Sequence, residues 1–127
     1  MIVVDTSALM AILKNEPEAD RCQNRLEAEQ TILISAGTLT KALLVAQERR
    51  LLAPLELLLS GADIECVALD EAGAKAAAAA YAIWGKGNHH ASLNFGDCFA
   101  YALAKERACP LLFIGNDFSQ TDIVAAI

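Results

Sequence analysis

Four short runs rich in aliphatic and β-branched residues punctuate the chain: IVV (2–4), TILIS (31–35), IECVAL (64–69) and PLLFIG (110–115). Each is bounded by cap or turn residues, and each predicts a strand buried in a sheet. The segments between them carry helix signals. Asp5, Thr6 and Ser7 offer caps for the helix SALMAILK, which the NEPEA turn stops, and Pro17 suits the first turn of a second helix over 17–29. A third helix follows TILIS and contains Lys41. Pro54 opens a fourth through LELLLS, ended by Gly61, and Asp70 caps EAGAKAAAAAYAIW. The loop GKGNHHAS precedes the helix NFGDCFAYALAKERA, and NDFSQTDIVAAI closes the chain as a turn and a short helix. The alanine run 76–80 predicts a helix in close contact with a neighbour.

Strands separated by helices pair in parallel through right-handed crossovers, with helices on both faces. The expected fold is α/β, a three-layer α/β/α sandwich around a mainly parallel sheet of four to five strands. With 127 residues and no repeat or Pro/Gly-rich linker, residues 1–127 form a single domain.

Composition narrows the classes. A chain of this size buries roughly two-thirds of its unfolded surface and needs neither disulfides nor a structural metal. The four cysteines form no C-x-x-C pair, and most lie in apolar segments, which argues against zinc and against a disulfide framework. No basic segment precedes the first apolar run, and Asp5 interrupts it. That pattern suits neither a signal peptide nor a membrane span, so a cytoplasmic protein without membrane contact is expected. A net charge of −6 disfavours broad electrostatic adhesion to nucleic acid, though not a contact mediated by a metal ion.

The acids carry the chemistry. In an open parallel sheet, function gathers at the carboxyl ends of the strands. Asp5 follows the first strand, Asp117 follows the last by a short turn, and Asp97 opens the helix after the Gly-rich loop. Clustered carboxylates suit a hard cation such as Mg²⁺ or Mn²⁺, which serves phosphodiester hydrolysis. Each acid also has a plain role as a helix cap or Asx turn. Lys41 is the odd residue. Thr38 and position 41 have the spacing of a capping box, yet a cation stands where the carboxylate belongs.

Together MIVVDTSALMAIL, LNFGDCFAYALAK and LLFIGNDFSQTDI resemble the PIN-domain ribonucleases, most nearly the VapC toxins of bacterial VapBC pairs, and the likeness runs essentially the full length. It implies a Mg²⁺- or Mn²⁺-dependent endoribonuclease with Asp5, Asp97 and Asp117 around the metal and Asp122 at the site's edge. Thr6, Ser7, Asn94, Asn116 and Thr121 match small polar residues that hold metal-bound water or orient the acids. The resemblance also implies an RNA substrate, a homodimer and a VapB-type antitoxin whose C-terminal segment lies in a groove.

One position departs from the family. Its pattern T-L-x-E-A reads TLTKA here, so Lys41 replaces a glutamate. Three carboxylates and an ammonium carry two fewer negative charges than four carboxylates. The expectation is that Lys41 weakens metal binding, activity or both; if the side chain swings outward, the acids still bind metal.

Lys86 and His89 sit in the Gly-rich loop, where they contact RNA phosphate or are simply solvated. Tyr81, Trp84, Phe95, Phe99 and Tyr101 are expected in the core. ALMAIL and PLELLLS offer apolar surface to a partner. A catalytically silent PIN domain binding antitoxin or RNA is the competing function. A receiver- or dehalogenase-type phosphoryl-transfer domain fits poorly, because Asp5-Thr6-Ser7 lacks the second Asp of a D-x-D motif.

Overall fold

The computed structural model describes residues 1–127. The apolar runs become four parallel strands, β1 (Ile2–Val4), β2 (Ile32–Ser35), β3 (Glu65–Val67) and β4 (Leu111–Leu112), in the order β3-β2-β1-β4. Ile2 pairs with Ile32, Val3 with Leu111 and Leu33 with Glu65. Six helices make the crossovers: α1 (Thr6–Leu13), α2 (Ala19–Glu27), α3 (Ala36–Glu48), α4 (Leu52–Gly61), α5 (Glu71–Trp84) and α6 (Phe95–Glu106).

β1, β2 and β4 read as unbroken apolar runs because both faces of the sheet are covered there, whereas β3, expected to be buried, is an edge strand exposed at Glu65 and Cys66. Ile2, Val4, Ile32 and Ile34 point to one side, where Leu9, Leu26, Ala46 and Leu55 of α1–α4 complete a cluster. Val3, Leu33 and Leu111 point to the other, against Ala77 and Ala80 of α5 and Ala100, Leu103 and Ala104 of α6. Small side chains let α5 and α6 approach closely, as the alanine run predicts. This is the expected α/β/α sandwich.

Several expectations change. α4 begins at Leu52, before Pro54, which still sits in the first turn where its missing N–H costs nothing. The last segment forms no α-helix. After a 3₁₀ turn at Phe118–Gln120 it runs extended, bridging Leu111 to Ala125 in parallel. Leu111 N–H donates to Val124 and accepts from Ala126 through its carbonyl, so the sheet edge outcompetes the helix for these backbone groups. ALMAIL is core, with Ala8, Leu9, Met10 and Ala11 buried; on α4, Leu57 is exposed. Phe95 is 77% exposed and Tyr81 is also outward, while Tyr101 is buried.

Candidate acidic active site

Because all four strands are parallel, their carboxyl ends share one edge. β1 ends there at Val4, and Asp5 N-caps α1, its Oδ2 accepting from Ser7 N–H (3.0 Å) and Ser7 Oγ–H (2.7 Å). Ser7 Oγ in turn accepts from Ile114 N–H at 3.0 Å, so one hydroxyl ties the end of β1 to the residues following β4. Asp5 is 3% exposed, yet its Oδ1 has no hydrogen-bond partner. One oxygen of the carboxylate therefore caps the helix while the other is left buried without a partner.

Asp97 divides its oxygens in the same way. It forms a capping box with Asn94, accepting from Asn94 N–H through Oδ2 (3.0 Å) while Asn94 Oδ1 accepts from Asp97 N–H (2.9 Å). Its Oδ1 lies 3.6 Å from Lys41 Nζ. Burial pushes the Asp97 carboxyl above the usual carboxylate range; the Asn94 hydrogen bond and Lys41 oppose this, while the charges of Asp5 and Asp117 add to it. Asp117 is exposed and caps nothing with its side chain. The turn that delivers it passes through Gly115 at φ +104°, a conformation that favours glycine.

Lys41 arrives from α3, but not as a capping-box residue. β2 runs directly into α3, so Ser35 is the N-cap and accepts from Gly37 N–H. Thr38 is inside the helix, fully buried, its hydroxyl unpartnered and its carbonyl accepting from Thr6. Lys41 thus lies in the second turn, its stem against Gly96 of α6. A pocket of about 240 Å³ is lined by Asp5, Thr6, Ser7, Lys41, Asn94, Asp97 and Asp117, joined by Ile114 and Phe118.

The other candidates fall elsewhere. Asn116 is outside the lining, its carbonyl accepting from Ser119. The Thr121 hydroxyl donates to Phe118 O and accepts from Ile123 N–H. Asp122 accepts from Tyr101 (2.5 Å) and Lys105 (3.0 Å), and those bonds, Tyr101's foremost, hold its carboxyl below the ordinary range. The missing last helix is the reason: the extended chain carries Asp122 along α6, away from the pocket. Lys86 borders an apolar groove with Tyr81 and Phe95. His89 packs edge-on to Trp84 (4.8 Å between ring centres) and accepts from Ala91 N–H. Gly96 was not among the sequence candidates. Its only signal is a residue without a side chain directly before Asp97.

The donors suit a hard cation. The acids do not close into a ready three-ligand cage, but Mg²⁺ takes one or two carboxylates and keeps several waters. Asp5 Oδ1 is free of hydrogen bonds, and Asp97 Oδ1 meets only the Lys41 ammonium.

The family model for the PIN domain matches residues 2–124. The chain is 46% identical over 126 residues to Ribonuclease VapC30 of Mycobacterium tuberculosis, spanning 96% of this chain and 95% of that one. It is 42% identical over 128 residues to a Ribonuclease VapC of Mycolicibacterium smegmatis, spanning 98% of each. Among solved structures, Mycobacterium tuberculosis VapC20, a sarcin-ricin loop cleaving toxin, superposes with a TM-score of 0.77 at 13% identity, covering 98% of this chain and 97% of that one. A chain of a toxin–antitoxin complex from Klebsiella pneumoniae superposes with a TM-score of 0.74 at 18% identity, covering 100% and 98%. The chain belongs to the PIN-domain family and, within it, to the VapC ribonucleases.

Proposed function

We propose that this chain is the toxin of a type II toxin–antitoxin pair, a divalent-metal-dependent endoribonuclease whose activity Lys41 reduces. One observation carries the reading: Asp5, Asp97 and Asp117, from three distant junctions, line a single pocket in which Asp5 keeps a buried, unpartnered oxygen. Asp5 and Asp97 would hold Mg²⁺ or Mn²⁺ on its buried side and Asp117 on its open side. A bound ion of this kind activates water and polarises a phosphoryl oxygen. Ser7 holds Asp5, and Asn94 holds Asp97, so both carboxylates are oriented before any ligand arrives. A cation also offsets the repulsion between an RNA phosphate and a chain of net charge −6.

Membership among the VapC ribonucleases supports a cognate VapB-type antitoxin and a homodimer, and we place toxin and antitoxin in the cytoplasm with the RNA. No helix is long and apolar enough to cross a membrane. Exposed Leu57 on α4 and exposed Phe95 on α6 provide apolar surface for such partners. The Lys41–Asp97 ion pair favours a second reading, a silent PIN domain that binds antitoxin or RNA without cutting.

RNA cleavage assays over a Mg²⁺ and Mn²⁺ titration test both. The Lys41→Glu chain is expected to cleave at least about tenfold faster than the present one, following the charge argument. Asp5→Asn in the Lys41→Glu background is expected to abolish cutting. Absence of cleavage in Lys41→Glu at saturating metal would sink the enzyme reading and leave the silent one.

A further inference from the structure

Lys41 reaches its position through two features that are independent of each other. Its ammonium lies 3.6 Å from Asp97 Oδ1, and Lys41 lines a pocket of about 240 Å³ together with Asp5, Asp97 and Asp117. Its stem crosses α6 at the one residue there with no side chain. A Cβ at Gly96 would come 2.7 Å from Lys41 Cδ, 3.3 Å from Cε and 3.2 Å from Nζ. The first is a charge contact between the ammonium and Asp97; the second is a steric allowance for the arm that delivers it.

We infer that Lys41 is a resident counter-cation occupying the metal's place in the acidic pocket, and that Gly96 is the notch that admits it. An ammonium brings three donors and one positive charge to the oxygens that a divalent ion would use. A divalent ion brought to Asp97 Oδ1 meets the charge of the ammonium already paired with that oxygen, so tight metal binding there requires the lysine arm to move off it. The arm is 35% exposed and its contact with Asp97 is longer than a formed hydrogen bond, so it can leave without breaking a buried bond. Metal affinity is then reduced by the fraction of time the arm is inside. This inference rests on the acids being a cation site, as the proposed function has it, but it concerns occupancy and not RNA.

Gly96→Ala provides a test that leaves every charge in place. Position 96 does not have a positive φ, so alanine suits the helix, and what must yield is a flexible lysine arm rather than backbone. Mn²⁺ and Mg²⁺ binding would be measured by titration calorimetry, and thermal midpoints recorded in EDTA and in excess metal, for the present chain and for Gly96→Ala, Lys41→Met and Lys41→Glu. All three variants are expected to bind Mn²⁺ more tightly than the present chain, Lys41→Glu by at least about tenfold. The midpoint of Lys41→Glu should fall in EDTA and recover with Mn²⁺, while that of the present chain should respond little to either. The present chain binding Mn²⁺ as tightly as Lys41→Glu or Lys41→Met would overturn the inference. So would Gly96→Ala binding no more tightly than the present chain, or the absence of binding in all four. A Lys41→Glu chain that binds Mn²⁺ tightly yet cuts no RNA overturns the proposed enzyme and leaves the counter-cation standing.

Discussion

Replacing Ser7 by alanine removes the hydroxyl that links the two strand ends at the site. Two hydrogen bonds go at once: the 2.7 Å bond donated to Asp5 Oδ2 and the 3.0 Å bond accepted from Ile114 N–H. A hydrogen bond to a charged group contributes roughly 1.5–3 kcal/mol, and a neutral one about 0.5–1.5. Alanine regains about 0.5 kcal/mol of helix propensity in the first turn of α1. Water reaches the half-buried region and recovers part of the loss, so the net cost is about 2–3 kcal/mol. For a domain of this size that lowers the thermal midpoint by about 8–12 °C. Urea unfolding followed by far-UV circular dichroism in EDTA would measure it without interference from metal. Thr40→Ala is the control, since its hydroxyl makes only an exposed bond to Ala36 O within the same helix; it should cost under about 0.5 kcal/mol. If Ser7→Ala cost no more than the control, Ser7 would not be tying β1 to β4, and the positioning of Asp5 would need another source.

Two further perturbations follow from the packing. Gly37→Ala places a Cβ 2.5 Å from Phe99 Cγ, at the root of the ring, so α3 and α6 must separate; the expected loss is about 1–3 kcal/mol by urea unfolding, although alanine is otherwise the better helix former. Tyr101 ties pH to stability in two directions. Its phenol is pushed up to about 12, chiefly by burial, so its contribution is complete below the unfolded value near 10 and is lost as pH rises from there toward 12. Tyr101→Phe should flatten that alkaline decline in the urea midpoint. Asp122 is shifted downward by Tyr101, so its contribution is present above the unfolded value near 4 and is lost as pH falls through its lower folded value. In Tyr101→Phe its NMR-detected titration should move back toward pH 4; an unmoved titration would mean that Lys105 alone sets it.

The layer architecture was legible in the amino-acid pattern because it follows from local periodicity. IVV and TILIS can bury both faces only between two layers of helices, and the intervening segments carry their own caps and stops. That Asp5 and Asp97 share one pocket was legible for a related reason: each follows an element boundary that sequence marks clearly, and a parallel sheet brings such boundaries to one edge.

What tertiary structure alone decided depends on contacts between residues far apart in the chain. Thr38 has the composition of a cap, but β2 passes into α3 without a break, so Ser35 caps and Thr38 is buried. The short helix expected to close NDFSQTDIVAAI loses to pairing with Leu111, a sheet edge that no local signal reveals, and Asp122 is carried away from the acidic pocket with it. Phe95 and Phe99 are equally apolar and lie one turn apart on the same face of α6 with their rings edge to face, yet Phe95 at the helix start is exposed while Phe99 packs onto Gly37. Whether Lys41 meets an acid or swings into solvent depends on how α3 packs on α6. The lysine stem lies against Gly96, which has no side chain, and its ammonium lies 3.6 Å from Asp97. Local sequence sets which groups are available at each junction; the close approach of two helices determines which of those groups share one small volume.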